Sequence, residues 1–281
     1  MRFGINSFLF TSPFTTASVS LFPKFKAWGF ETVEIPVEDP SHIDPVVVGK
    51  AAKDAGLAIG SVCACMGPGR DPRGTPEEQA VGLGYMKALI DQMVLLDCPR
   101  LIGPVYSVVG RADAVEPEDY KQQWADVVKN LKELAAYAEA RGKLVCLEPL
   151  NRFETDFINT TDQGLAMLEA VGSPALKLHL DTFHMNIEEK NQAKAILKAG
   201  AHLGHFHACG TDRGTPGNDS LDWAPIVAAL KAIHYTGDVV IESFTTDVKV
   251  IARAADGEQY PEPITCHFYS NQRVAFLGQF L

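Results

Sequence analysis

The chain has 281 residues, 46% of them apolar, and a formal net charge of −10. That charge argues against a nucleic-acid or anionic-membrane partner, since both need a basic footprint. Six cysteines without a CxxC pair make no disulfide scaffold, and with neither a basic leader nor an apolar run near 18 residues they point to reduced thiols in a cytoplasm.

In chain order, short apolar runs alternate with longer amphipathic ones. Strands are expected at Arg2–Phe8, Thr32–Val37, Leu57–Cys65, Arg100–Tyr106, Leu144–Leu150, Leu176–Asp181, Leu203–Cys209 and Asp238–Phe244. Each is nearly continuous in apolarity, as parallel strands buried on both faces are. Helical periodicity is clearest over Ser18–Trp28, Pro76–Leu96, Pro117–Ala140 and Asp222–Ile233, with a shorter helix over Gln163–Ala170 behind a Thr161-Asp162 cap. Prolines and acids open two of them, at Thr75-Pro76-Glu77-Glu78 and Glu116-Pro117-Glu118-Asp119. Gly29, Gly142 and Gly172 close helices before the next strand. Lys249–Pro263 reads as a long loop before a last helix, Cys266–Phe280.

Eight βα units predict an α/β fold, a (β/α)8 TIM barrel forming a single domain over residues 1–281. An open doubly wound sheet is the competitor, but the first strand ends in Asn6-Ser7-Phe8 with no glycine-rich phosphate loop.

In such barrels the active site lies at the C-terminal strand ends. Four consecutive strands end there in Glu148, Asp181, His207 and Glu242, spaced 33, 26 and 35 residues apart, about one βα unit each. One strand-end carboxylate is as often a buried acid paired with lysine or arginine. Four in succession form a metal set, and three carboxylates with one imidazole suit Mn²⁺, or Co²⁺ or Mg²⁺, better than structural Zn²⁺. His179 and His205, two residues upstream of proposed ligands, fall a layer deeper as packing or supporting donors.

The runs Leu147-Glu148-Pro149-Leu150-Asn151-Arg152-Phe153-Glu154, His179-Leu180-Asp181-Thr182-Phe183-His184-Met185-Asn186, His205-Phe206-His207 through Arg213-Gly214, and Ile241-Glu242-Ser243-Phe244 carry a resemblance. They resemble the D-tagatose 3-epimerase family, which includes D-allulose (psicose) and L-ribulose 3-epimerases within the xylose-isomerase-like barrels. The resemblance spans essentially the whole chain. It implies that Glu148 and Glu242 are acid/base residues as well as metal ligands, and that Asp181 and His207 complete the metal shell. Glu154, His184 and Arg213 would hold substrate hydroxyls and the developing oxyanion. It also implies a homodimer or homotetramer, with the long loop and C-terminal helix as contact surfaces.

The chemistry agrees with these residue types. Inverting C3 of a ketose removes a proton on one face and returns one on the other, so two carboxylates are needed. A divalent cation chelating O2 and O3 would stabilise the cis-enediolate between these steps. Phe8, Cys65 and Asn6, with Gly103 and Tyr106, lie near strand ends and are candidate walls of the pocket, although an aromatic or thiol there is as often core. Gly210, Gly214 and Gly217 surround Arg213 rather than forming a phosphate loop, which favours an unphosphorylated ketose.

An aldose–ketose isomerase, a hydroxypyruvate isomerase or an inosose dehydratase could share this metal set, and spacing does not separate them. An apurinic endonuclease would need more metal ligands and a basic face. A non-catalytic sugar-binding barrel is the remaining option; there Glu148→Gln would leave function intact, whereas in an epimerase turnover would vanish while the fold survives.

Overall fold

The computed structural model of the chain describes residues 1–113 and 115–244. Eight parallel strands close into a barrel: β1 Arg2–Asn6, β2 Thr32–Val37, β3 Ala58–Ala64, β4 Arg100–Gly103, β5 Leu144–Leu147, β6 Leu176–Asp181, β7 Leu203–Ala208 and β8 Asp238–Ile241. β1 pairs β8, with Gly4 opposite Val240, and so closes the ring. The helices are α1 Phe22–Ala27, α2 Pro45–Asp54, α3 Pro76–Leu95, α4 Pro117–Glu139, α5 Thr161–Val171, α6 Thr182–Glu188, α7 Gln192–Ala199 and α8 Trp223–Ala232. The expected loop Lys249–Pro263 and helix Cys266–Phe280 lie outside the described residues. Among the described residues no helix is long and apolar enough to cross a membrane.

The barrel is held by apolar strand residues facing apolar helix stripes. On α3, Leu89, Ile90 and Met93 are fully buried; on α4, so are Leu134, Ala135 and Ala138. Burying each large side chain contributes about 1.5–3 kcal/mol relative to exposure. Inside, small residues make room for polar ones. A Cβ at Gly60 would stand 2.4 Å from Asp238 Oδ2, and one at Gly4 would stand 2.4 Å from Thr32 Oγ1.

Several boundaries differ from the sequence expectation. β4 stops at Gly103 rather than Tyr106, because Gly103 turns to φ 117° and Pro104 follows. β5 and β8 stop at Leu147 and Ile241, which leaves Glu148 and Glu242 one residue beyond the ladder. The expected helix Ser18–Trp28 is a 3-10 turn, Thr16–Leu21, followed by α1. Pro23 has no N–H to give the Val19 carbonyl, so one continuous α-helix cannot form there. The cap of α5 is Thr160, reciprocally bonded with Gln163, rather than Thr161-Asp162. Helix α2, implied by the eight βα units but given no range from sequence, is capped by Asp44, which accepts from Val46 and Val47 N–H.

Candidate active site

The structure brings the four strand-end residues together. Glu148, Asp181, His207 and Glu242 each offer a ligand atom within 4.8 Å of the others, and all four are buried. Asp181 does two jobs: Oδ1 caps α6 by accepting from Phe183 N–H (2.7 Å), and Oδ2 accepts from Arg213 Nη1 (3.0 Å). Glu242 accepts from Asn6 Nδ2 on Oε1 and from Arg213 Nη1 on Oε2, both at 3.0 Å. Two polar atoms in this cluster are buried without a partner, Glu148 Oε1 and His207 Nδ1. A buried orphan acceptor costs free energy. Three carboxylates, one imidazole and two unsatisfied donor atoms therefore fit a hard or borderline divalent cation.

The electrostatics push the two glutamates apart. Burial and the neighbouring Glu242 raise the Glu148 carboxyl well above its ordinary range. Burial opposes charge on Glu242 too, but His207 and Arg213 outweigh it and hold that carboxyl low. Burial also opposes charge on His207, yet Glu34 and Glu242 hold its pKa well above the ordinary histidine value.

Above this cluster opens a cavity of about 580 Å³. Phe8, Cys65, Glu154, His184 and Arg213 line it, together with Glu148 and Glu242. The guanidinium of Arg213 is the anchor of the wall. It lies between the Phe183 and Phe244 rings, 4.1 and 4.9 Å from their centroids, and its Nη2 reaches Glu154 Oε1 at 3.4 Å. The Arg213 backbone is left-handed, φ 57°, a conformation that costs a non-glycine residue about 1–3 kcal/mol. Hydrogen bonds from Arg213 N–H to the Gly210 carbonyl and from Phe244 N–H to the Arg213 carbonyl hold it there.

His184 sits on α6, three residues past Asp181. Its Nδ1 faces Asn151 N–H at 3.0 Å, and its Nε2 faces Arg213 Nη2 at 2.9 Å and lies 3.7 Å from Glu148 Oε1. Burial and Arg213 keep this imidazole neutral. Glu154 is held by Asn151 Nδ2 at 2.7 Å.

Three expected wall residues, Asn6, Gly103 and Tyr106, are not in the cavity lining. Asn6 is fully buried and lies behind Glu242, its amide shared between Glu242 and Glu34. Tyr106 is also fully buried, donating to the Ile158 carbonyl at 2.8 Å, and belongs to the core. Glu34, from the middle of β2, was missed altogether. It is fully buried and accepts from Asn6, Ser61 and His207. Its signal was a carboxylate inside the otherwise uncharged run Thr32–Val37.

The three buried imidazoles of His179, His205 and His207 stack edge to face, with centroids 4.1–5.0 Å apart. They too could hold an ion. However, Nε2 of His207 and Nε2 of His205 both face Glu34, at 2.9 and 2.8 Å, so these rings are organised as supports for the carboxylate cluster.

Residues 22–265 match the family model for the xylose isomerase-like TIM barrel. A probable ketose 3-epimerase of Synechocystis sp. is 34% identical over 261 residues, covering 91% of this chain and 88% of that one. The D-psicose 3-epimerase of Agrobacterium fabrum is 33% identical, covering 79% of this chain and 80% of that one. Among solved structures, the D-allulose 3-epimerase of Methylomonas sp. in complex with D-allulose superposes with a TM-score of 0.91 at 28% identity. That match covers 100% of this chain and 97% of the other. With likeness of this extent to named 3-epimerases and a barrel of the matching family, the chain belongs to the ketose 3-epimerases of the xylose isomerase-like TIM barrels.

Proposed function

We propose that this enzyme inverts C3 of an unphosphorylated ketose of the D-tagatose, D-fructose, D-allulose or L-ribulose type, with Glu148 and Glu242 exchanging the proton. The observation that supports it best is the pair of glutamates in one buried cluster, entering from β5 and β8, three strands apart, and both open to the cavity. Glu148, Asp181, His207 and Glu242 would hold a divalent cation, with Mn²⁺ preferred and Co²⁺ or Mg²⁺ as alternatives. When bound, such an ion polarises the C2 carbonyl and neutralises charge on the neighbouring oxygens.

The chain's own groups do the rest. One glutamate takes the C3 proton, which the adjacent carbonyl acidifies, and the other returns a proton to the opposite face. Each positioned proton-transfer group is worth on the order of 10²–10⁴-fold in rate. Without an ion the two carboxyl pKa values are displaced in opposite directions, so the two glutamates are not equivalent partners for the proton. Arg213 is a fixed cation beside the charge that develops on the enediolate. His184 and Glu154 line the cavity where sugar hydroxyls would bind, and Phe8 and Cys65 close its side.

The same reading makes the molecule a cytoplasmic homo-oligomer of single-domain barrels, which light scattering on the purified protein checks for size. Incubation with Mn²⁺ and fructose, tagatose or ribulose, followed by separation of the sugars, tests the reaction. The C3-inverted ketose is the expected product; aldose alone would refute the reading in favour of an aldose–ketose isomerase.

A further inference from the structure

Glu34 has no place in the proton chemistry above, yet it is the most heavily bonded carboxylate in the described residues of the site. It sits in β2, on the opposite side of the barrel from the ligand-bearing strands β5 and β6. Its Oε1 accepts from Asn6 Nδ2 (2.8 Å) and faces His207 Nε2 (2.9 Å). Its Oε2 accepts from Ser61 Oγ (2.5 Å) and faces His205 Nε2 (2.8 Å). Three hydrogen bonds, from Asn6, Ser61 and His207, meet this carboxylate, and His205 Nε2 lies against its second oxygen. Glu34 is thus committed to the protein's own groups, unlike Glu148 with its orphan Oε1.

The consequence is directional. A carboxylate that already accepts from Asn6 and Ser61 has no proton to give, so His207 Nε2 must be the donor. With Nε2–H committed to Glu34, the other ring nitrogen, Nδ1, is the one left free to ligate. Nδ1 is the atom that faces Asp181 Oδ2 and Glu242 Oε2, at 3.8 and 3.4 Å. Asn6 extends the control, because the same Nδ2 that donates to Glu34 also donates to Glu242 Oε1.

We propose that Glu34 is the positioning residue of the metal centre: it fixes the His207 ring with Nδ1 turned to the ion and, through Asn6, fixes the Glu242 carboxylate. The inference rests on the four-residue metal centre proposed above. Substitution by glutamine removes the negative charge that holds the His207 Nε2–H. An NH₂ group in place of Oε1 would meet two donors, Asn6 Nδ2 and His207 Nε2–H, and in place of Oε2 it would require Ser61 Oγ and His205 Nε2 to turn acceptor.

Mn²⁺ binding to the wild-type protein and to Glu34→Gln, followed by electron paramagnetic resonance of the free ion, is the first test, with circular dichroism to verify the fold. Loss of a supporting partner of a metal-bound histidine typically weakens affinity on the order of 10–100-fold, and that loss is expected. A folded Glu34→Gln that binds Mn²⁺ within twofold of wild type overturns the role of Glu34 and leaves the centre intact. Wild-type protein that binds no Mn²⁺ overturns the centre, and this inference with it. A second measurement needs no variant: nitrogen-edited proton spectra of the wild-type protein loaded with diamagnetic Mg²⁺. A downfield, exchange-protected N–H on Nε2 of His207, assigned by its loss in His207→Asn, is expected. An Nδ1–H on that ring, or no protected N–H at all, overturns the proposal even if Glu34→Gln fails to fold.

Discussion

Strand β8 carries an acid at each end, and the two ends of the barrel treat them in opposite ways. At the start, Asp238 is fully buried and met by two guanidiniums: Arg2 donates at 2.8 and 3.1 Å, and Arg100 donates at 2.9 Å. Just past the other end, Glu242 shares Arg213 with Asp181 and Glu154, while Glu148 Oε1 has no partner. Both acids lie on the same face of the strand, four residues apart. A buried carboxylate matched by cations is a fastening. Carboxylates that outnumber the cations around them are a place for something positively charged to bind. The comparison separates structure from function without reference to sequence likeness.

The sharpest way to break this contrast is to neutralise one acid at each end. Glu148→Gln or Glu242→Gln should each lower turnover on the order of 10²–10⁴-fold or more, measured under saturating Mn²⁺. The melting temperature of metal-free Glu148→Gln should be unchanged or higher, since a repelled, unpartnered carboxyl is removed. Asp238→Ala should do the reverse. It strands two arginines, so a stability loss of about 3–5 kcal/mol by urea denaturation is expected, with Mn²⁺ affinity unaltered in the folded fraction. A kinetic defect without a stability defect at Asp238 would erase the distinction between the two ends.

Arg213→Lys comes next in size. Lysine keeps the charge but cannot span Asp181, Glu242 and Glu154 at once, nor stack between Phe183 and Phe244 in the same way. A fall in kcat of roughly 10²-fold is expected from a displaced charge-stabilising donor. The smallest effect concerns protons. Glu148 and His207 are both held protonated above their ordinary values of 4.5 and 6.5. Both must lose a proton to ligate, so Mn²⁺ binding should release protons and strengthen as pH rises. Calorimetry in buffers of differing ionisation enthalpy reads this directly; affinity that weakens with rising pH would contradict it.

The eight strands were legible because buried parallel strands read as continuous apolar runs, and the register of Glu148, Asp181, His207 and Glu242 followed from one ligand per βα unit. Less legible was anything set by packing across the barrel. Asn6 reads as a pocket residue because it is polar and late in its strand; only the ring closure of β8 on β1 places Glu242 in front of it. Glu34 is hidden for the same reason, since the groups that surround it come from residues 6, 61, 205 and 207, far apart in sequence. His184 reads as a loop residue because α6 is only seven residues long and is capped by Asp181, itself part of the site. Short helices built on a functional residue leave little periodicity to detect.

The central claim is that Glu148 and Glu242 move the proton at C3. Running the Mn²⁺-loaded enzyme with fructose in D₂O and locating deuterium by carbon-13 NMR tests it most directly. The account predicts solvent deuterium at C3 of the epimerised ketose, with C1 unlabelled. Deuterium at C1 with none at C3 would contradict it.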